Sequence, residues 1–148
     1  MKRRAFITQT CITCVSGGLI PFLLSGCRAT HYVSGVMDAI GISVSKSEFT
    51  YQKKEQTLTR QYIIVQNDKL EFPIYVYRFS DTEYSALWMK CTHQGAELQA
   101  SGDALQCPSH GSEFTNKGKV SNGPAENNLR SFPVIVKNAT ITIDFRQS

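Results

Sequence analysis

Two hydrophobic patterns divide the chain. Between residues 5 and 24 apolar side chains dominate a single stretch, whereas beyond residue 41 they come in short β-branched and aromatic runs. The short runs, at 42–48, 61–66, 72–79, 84–90, 132–137 and 140–145, predict strands. Turn-forming pairs punctuate them, among them Asn67-Asp68, Ser80-Asp81, Gly102-Asp103, Asn122-Gly123 and Lys137-Asn138. No convincing amphipathic helix of ten or more residues is present, so the pattern reads as all-β. In 72–79 both alternating sets, Phe72, Ile74, Val76 and Arg78 against Pro73, Tyr75, Tyr77 and Phe79, are largely apolar or aromatic. Such a strand belongs at the centre of a sandwich or barrel, covered on both faces. Between about residues 91 and 128 the runs give way to a long, glycine-rich excursion.

The N-terminal stretch has the layout of a targeting segment: Lys2, Arg3 and Arg4 precede the apolar run. It is barely long enough to span a bilayer, with Thr8, Gln9, Thr10 and Thr13 in one half and Gly17, Gly18 and Pro21 in the other. Arg3-Arg4-Ala5-Phe6-Ile7 resembles a twin-arginine export signal, and Leu24-Ser25-Gly26-Cys27 resembles the lipobox cut by lipoprotein signal peptidase. The two resemblances imply a bacterial lipoprotein that is exported folded and faces the periplasm. Residues 1–26 are then a signal peptide, and the acyl chains on Cys27 anchor the protein to a membrane. A retained N-terminal span is the alternative. Residues 27–41, with Gly35 and Gly41 as breakers, read as a tether, and 42–148 as the globular domain.

Charge narrows the field. The formal net charge is +4, but Lys2, Arg3 and Arg4 supply three of the 16 cationic residues, leaving 13 against 12 Asp and Glu from Cys27 onward. That balance gives no footprint for nucleic acid. No nucleophile–base pair or phosphate loop stands out, which points away from a stand-alone enzyme. Of five cysteines, Cys11 and Cys14 lie in the signal segment, and Cys27, Cys91 and Cys107 make a poor disulfide framework.

The excursion carries the candidate chemistry. Cys91-Thr92-His93 is followed, after thirteen intervening residues, by Cys107-Pro108-Ser109-His110, two pairs that each bring a thiolate and an imidazole into one tight loop. Two of the three histidines of the chain are in these pairs, and His31 is the bystander. A zinc ion accepts the same four donors, so a non-redox zinc module stays open on donor type alone. The interleaved Cys/His order instead lets one loop offer a thiolate to one iron and an imidazole to another.

Cys91-Thr92-His93-Gln94-Gly95 and Cys107-Pro108-Ser109-His110-Gly111-Ser112 resemble the two boxes of the Rieske 2Fe-2S family. The resemblance continues through Gly118, Gly123-Pro124-Ala125 and Phe132-Pro133, covering about residues 84–136. It implies an antiparallel β sandwich or barrel with a cluster-binding loop subdomain and one Rieske-type 2Fe-2S cluster per chain. Cys91 and Cys107 would hold the inner iron, and His93 and His110 the outer one. Pro124 would belong to the loop that covers the cluster.

High-potential members of the family join their boxes by a disulfide, but this chain has Ala96 and Ser109 at those positions. Ser112 matches a family serine that donates to a bridging sulfide, whereas Phe114 stands where such members have a tyrosine that donates to a cysteine sulfur. Losing that donor lowers the potential, so the resemblance implies a midpoint within the Rieske range of about −150 to +300 mV and below its upper end. The function expected is one-electron transfer with a redox partner protein from a membrane-tethered position. The alternative is the Rieske subunit of a quinol-oxidising cytochrome bc-type complex or the small subunit of a molybdenum oxidase.

Overall fold

A computed structural model describes residues 30–147; Arg3, Arg4, Cys27 and the rest of the signal segment lie outside the described residues. Fifteen short strands follow one another among the described residues, with one 3-10 turn at Lys46–Phe49. In chain order they are β1 (Tyr32–Ser34), β2 (Val36–Met37), β3 (Gly41–Ser45), β4 (Thr50–Lys53), β5 (Gln56–Thr59) and β6 (Tyr62–Gln66). There follow β7 (Ile74–Arg78), β8 (Tyr84–Trp88), β9 (Gln99–Ser101), β10 (Ala104–Gln106) and β11 (Glu113–Thr115). The last four are β12 (Val120–Asn122), β13 (Ser131–Phe132), β14 (Val134–Lys137) and β15 (Thr140–Asp144).

They assemble as a five-stranded sheet in the order β1-β6-β7-β8-β13, a four-stranded sheet β14-β15-β3-β2, a second four-stranded sheet β12-β11-β10-β9, and the β4–β5 hairpin. Every pairing is antiparallel except that of β1 with β6.

Strand parity explains how the three sheets stack. Ile63 and Val65 of β6, Ile74 and Val76 of β7, and Ala86 of β8 point to one side, where they meet Ile42, Val44, Ile141 and Ile143 of the β14-β15-β3-β2 sheet. The intervening residues Ile64, Tyr75, Tyr77 and Leu87 point to the other side and meet Leu98, Leu105, Phe114 and Leu129 of the excursion. The five-stranded sheet is therefore a shared middle layer, which is why 72–79 is apolar at both parities. Each fully buried aliphatic side chain in these layers contributes about 1.5–3 kcal/mol of transfer free energy.

The excursion that carries the two boxes is more regular than its composition announces. Its residues form the β12-β11-β10-β9 sheet, bound to β7 by the Tyr75 hydroxyl, which donates to the Gly102 carbonyl at 2.9 Å. Burial pushes the Tyr75 phenol well above its ordinary range, so that hydroxyl stays a donor.

The stretch expected to serve as a tether is paired from Tyr32 on. Tyr32–Ser34 pairs in parallel with Ile64–Gln66, and Val36–Met37 pairs with Ser43 and Ile42. Its glycines are sites of close approach, not breakers. A Cβ on Gly35 would run into Ile42 and stand 2.9 Å from Val65 Cγ1, and one on Gly41 would run into the Ile143 carbonyl. The folded domain thus includes β1 and β2, ahead of residue 42.

Candidate metal centre

Both boxes are built as the same knuckle. In the first, Cys91 N–H donates to Ala96 O at 2.8 Å and its carbonyl accepts from Gly95 N–H at 2.8 Å. In the second, Cys107 N–H donates to Ser112 O at 2.8 Å and its carbonyl accepts from Gly111 N–H at 3.0 Å. Each knuckle turns through a glycine with positive φ, 75° at Gly95 and 77° at Gly111, a conformation that a side chain disfavours. The loops have one length and one hydrogen-bond pattern; only the position of the histidine differs, two residues after Cys91 and three after Cys107.

The knuckles face each other across the ends of β8 and β10, and the four donors are ordered by depth. Cys91 and Cys107 are free thiols with 2% and 3% exposure, His93 is half-buried, and His110 faces solvent. Both cysteines belong to one buried cluster of side chains. The imidazole rings sit 5.0 Å apart, edge to face at 88°. Burial pushes the Cys107 thiol up, but the backbone N–H groups of Ser109 and His110, the Cys91 sulfur and the Ser109 hydroxyl outweigh it, so the pKa lies below the ordinary thiol value. The second knuckle is therefore suited to hold a thiolate.

Two observations test whether these residues suit a cluster. His93 Nδ1 is a buried side-chain nitrogen with no hydrogen-bond partner in the protein, an arrangement that is costly unless another group uses its lone pair. The two buried cysteines share one core, and the two imidazole rings stand 5.0 Å apart, so the donors come in two like pairs. Two sulfurs and two ring nitrogens that approach in pairs fit a two-metal unit with two protein donors on each metal.

A strap at residues 122–129 closes over the knuckles. Asn122 Nδ2 donates to Gly111 O at 3.3 Å, Ala125 N–H donates to the fully buried Ser112 Oγ at 3.0 Å, and Thr92 Oγ1 donates to Asn127 O at 2.6 Å. Asn128 Oδ1 accepts from Val120 N–H at 3.0 Å, and Leu129 N–H donates to Gly118 O at 2.8 Å, which seats the strap on β12. Pro124 lies in this strap and is exposed. Phe114, fully buried, shares a core with both cysteines. Sequence reading singled out Ser112, Phe114 and Pro124 but not Thr92, Asn122 or Asn127. A threonine and two asparagines in a polar loop look like ordinary turn residues until the fold brings the two boxes under one segment.

Residues 48–133 match the Rieske [2Fe-2S] domain family, a span that includes both knuckles and the strap. The chain belongs to the Rieske family. Its cofactor is accordingly a Rieske-type 2Fe-2S cluster, and the domain is an electron-transfer domain.

The chain is 39% identical over 84 residues to the oxygenase component of dicamba O-demethylase from Stenotrophomonas maltophilia, covering 50% of this chain and 25% of that one. It is 30% identical over 115 residues to the cytochrome b6-f complex iron-sulfur subunit of Cyanothece sp., covering 71% and 58% of the two chains. The Rieske chain thus spans a quarter of the first relative and somewhat over half of the second. Among solved structures, the cyanobacterial plasma membrane Rieske protein PetC3 from Synechocystis PCC 6803 superposes with a TM-score of 0.50 at 28% identity, over 57% of this chain and 86% of that one.

Proposed function

We propose that this protein is a one-electron carrier tethered to a membrane on its periplasmic side, with Cys91 and Cys107 binding the inner iron and His93 and His110 the outer one. The observation that carries the assignment is the depth order of the four donors, two buried sulfurs beneath two imidazoles of which one faces solvent. When bound, a Rieske cluster supplies a one-electron couple at about −150 to +300 mV. The chain contributes the rest. The knuckles fix the donors, the strap covers them, and exposed His110 with Pro108 and Gly111 leaves an accessible surface for a partner.

The tether rests on the twin-arginine-like and lipobox-like segments, Arg3-Arg4 and Leu24–Cys27. Mass spectrometry of the N-terminus tests it: an acylated Cys27 is expected, and an intact Met1 segment would replace the lipid anchor by a retained span. The second reading, a subunit of a quinol-oxidising cytochrome bc-type complex, draws on the 30% identity to the cytochrome b6-f subunit over 71% of the chain. Ala96 and Ser109, where such subunits carry the loop disulfide, favour the free carrier. The two separate when the protein is extracted in mild detergent and sized: a free carrier elutes alone, and a complex subunit elutes with its cytochromes.

A further inference from the structure

Only two large hydrophobic residues are exposed among the described residues, Tyr32 at 54% and Val36 at 71%. Single exposed apolar side chains need no explanation. These two, however, fall within one five-residue segment and at the same parity. Tyr32, Ser34 and Val36 face out, while Val33 and Gly35 are buried. The segment crosses from the outer strand of one sheet to the outer strand of another, since β1 ends the five-stranded sheet and β2 ends the β14-β15-β3-β2 sheet. Among the described residues, neither strand has a neighbour on its outer side.

Chain length decides what this edge meets. A fully extended chain gains at most 3.3–3.6 Å per residue, so a tether from Cys27 to Gly41 would reach about 50 Å, but one that ends at Tyr32 reaches about 18 Å. If the apolar run ending at Leu24 enters the bilayer instead, Tyr32 is within about 28 Å of it. Either way the first strand is held close to the membrane, less than a domain diameter away.

We propose that the Tyr32–Val36 edge rests on the lipid surface and seats the domain there, the tyrosine lying at the headgroup level where its ring is apolar and its hydroxyl wet. This inference rests on the membrane-anchored reading given above. The contact is apolar rather than electrostatic, because the hollow beside Tyr32 and Ser34 is flanked by Asp68 and Glu97, which disfavour anionic headgroups. With the domain seated, its electron partner must work at the same membrane surface.

The test uses the full chain with its anchor in phosphatidylcholine vesicles, kept oxidised. A nitroxide is placed at Ser34→Cys, between the two apolar side chains, or at Lys137→Cys on β14, the opposite edge of the same sheet as β2. Power-saturation EPR then compares quenching by oxygen, which partitions into lipid, with quenching by a water-soluble nickel chelate. The expected result is an oxygen-to-nickel ratio several-fold higher at 34 than at 137. The ratio should be unchanged when phosphatidylglycerol is added and should fall to the value at 137 in a Tyr32→Ser/Val36→Ser background. Equal ratios at the two sites in protein that still floats with vesicles overturn the contact and leave the anchor standing. Protection of site 34 from both reagents means a second copy of the chain covers the edge, which also overturns it. Protein that fails to float with vesicles removes the anchored reading itself.

Discussion

Ser112 accepts the Ala125 N–H on a lone pair, so its buried hydroxyl still has a proton to give to a sulfur acceptor. A hydrogen bond to a charged acceptor favours the more negative state, and a difference of about 1.4 kcal/mol is about 60 mV for one electron. Ser112→Ala is expected to lower the midpoint by about that amount in a redox titration. Phe114→Tyr, which adds a donor in the core shared with Cys91 and Cys107, is expected to raise it. An unmoved midpoint in both variants would remove sulfur hydrogen bonding from the account.

A second residue-scale effect lies far from the centre. The Arg146 guanidinium and then its backbone N–H hold the Asp144 carboxyl at about 2, below the ordinary 3.8. A depressed carboxyl stabilises the fold fully above its unfolded pKa and loses that contribution as pH falls through the folded one. The melting temperature of wild type should therefore exceed that of Asp144→Asn at pH 6, and the gap should close between about pH 4 and pH 2.

At the scale of elements, the centre is two equal knuckles and one strap, and no disulfide joins Cys91 or Cys107 to anything. The Thr92–Asn127 bond ties the first knuckle to the strap that also holds the second. Thr92→Val removes about 1 kcal/mol of that tie. The visible absorbance of the holoprotein should then bleach faster under a chelator, with Thr92→Ser restoring the wild-type rate; equal bleaching in all three proteins would show the strap to be slack.

The central strands and both boxes were legible in the sequence because each rests on local pattern: alternation in 72–79, and Cys, His and Gly at fixed short offsets. The strands β1 and β2 were not, because two and three residues interrupted by Gly35 carry no period. What makes them strands is long-range pairing with β6 and β3. Gly41→Ala tests that placement, since a clash with the Ile143 carbonyl should cost about 1–3 kcal/mol and lower the melting temperature by several degrees, where a loose tether would not respond.

For the whole molecule, one sheet serves two cores. Its one face completes a β sandwich, and its other face supports the small sheet from which the knuckles project. The knuckles are thus mounted on a layer packed on both faces. The most direct test of the central claim, that two cysteines and two histidines share one two-iron unit, is pulsed EPR of the reduced full-length protein. Two histidine nitrogens should couple to the unpaired electron, one lost in His93→Cys and the other in His110→Cys. A reduced protein whose spectrum shows no nitrogen coupling, or coupling that survives both substitutions, would contradict the assignment.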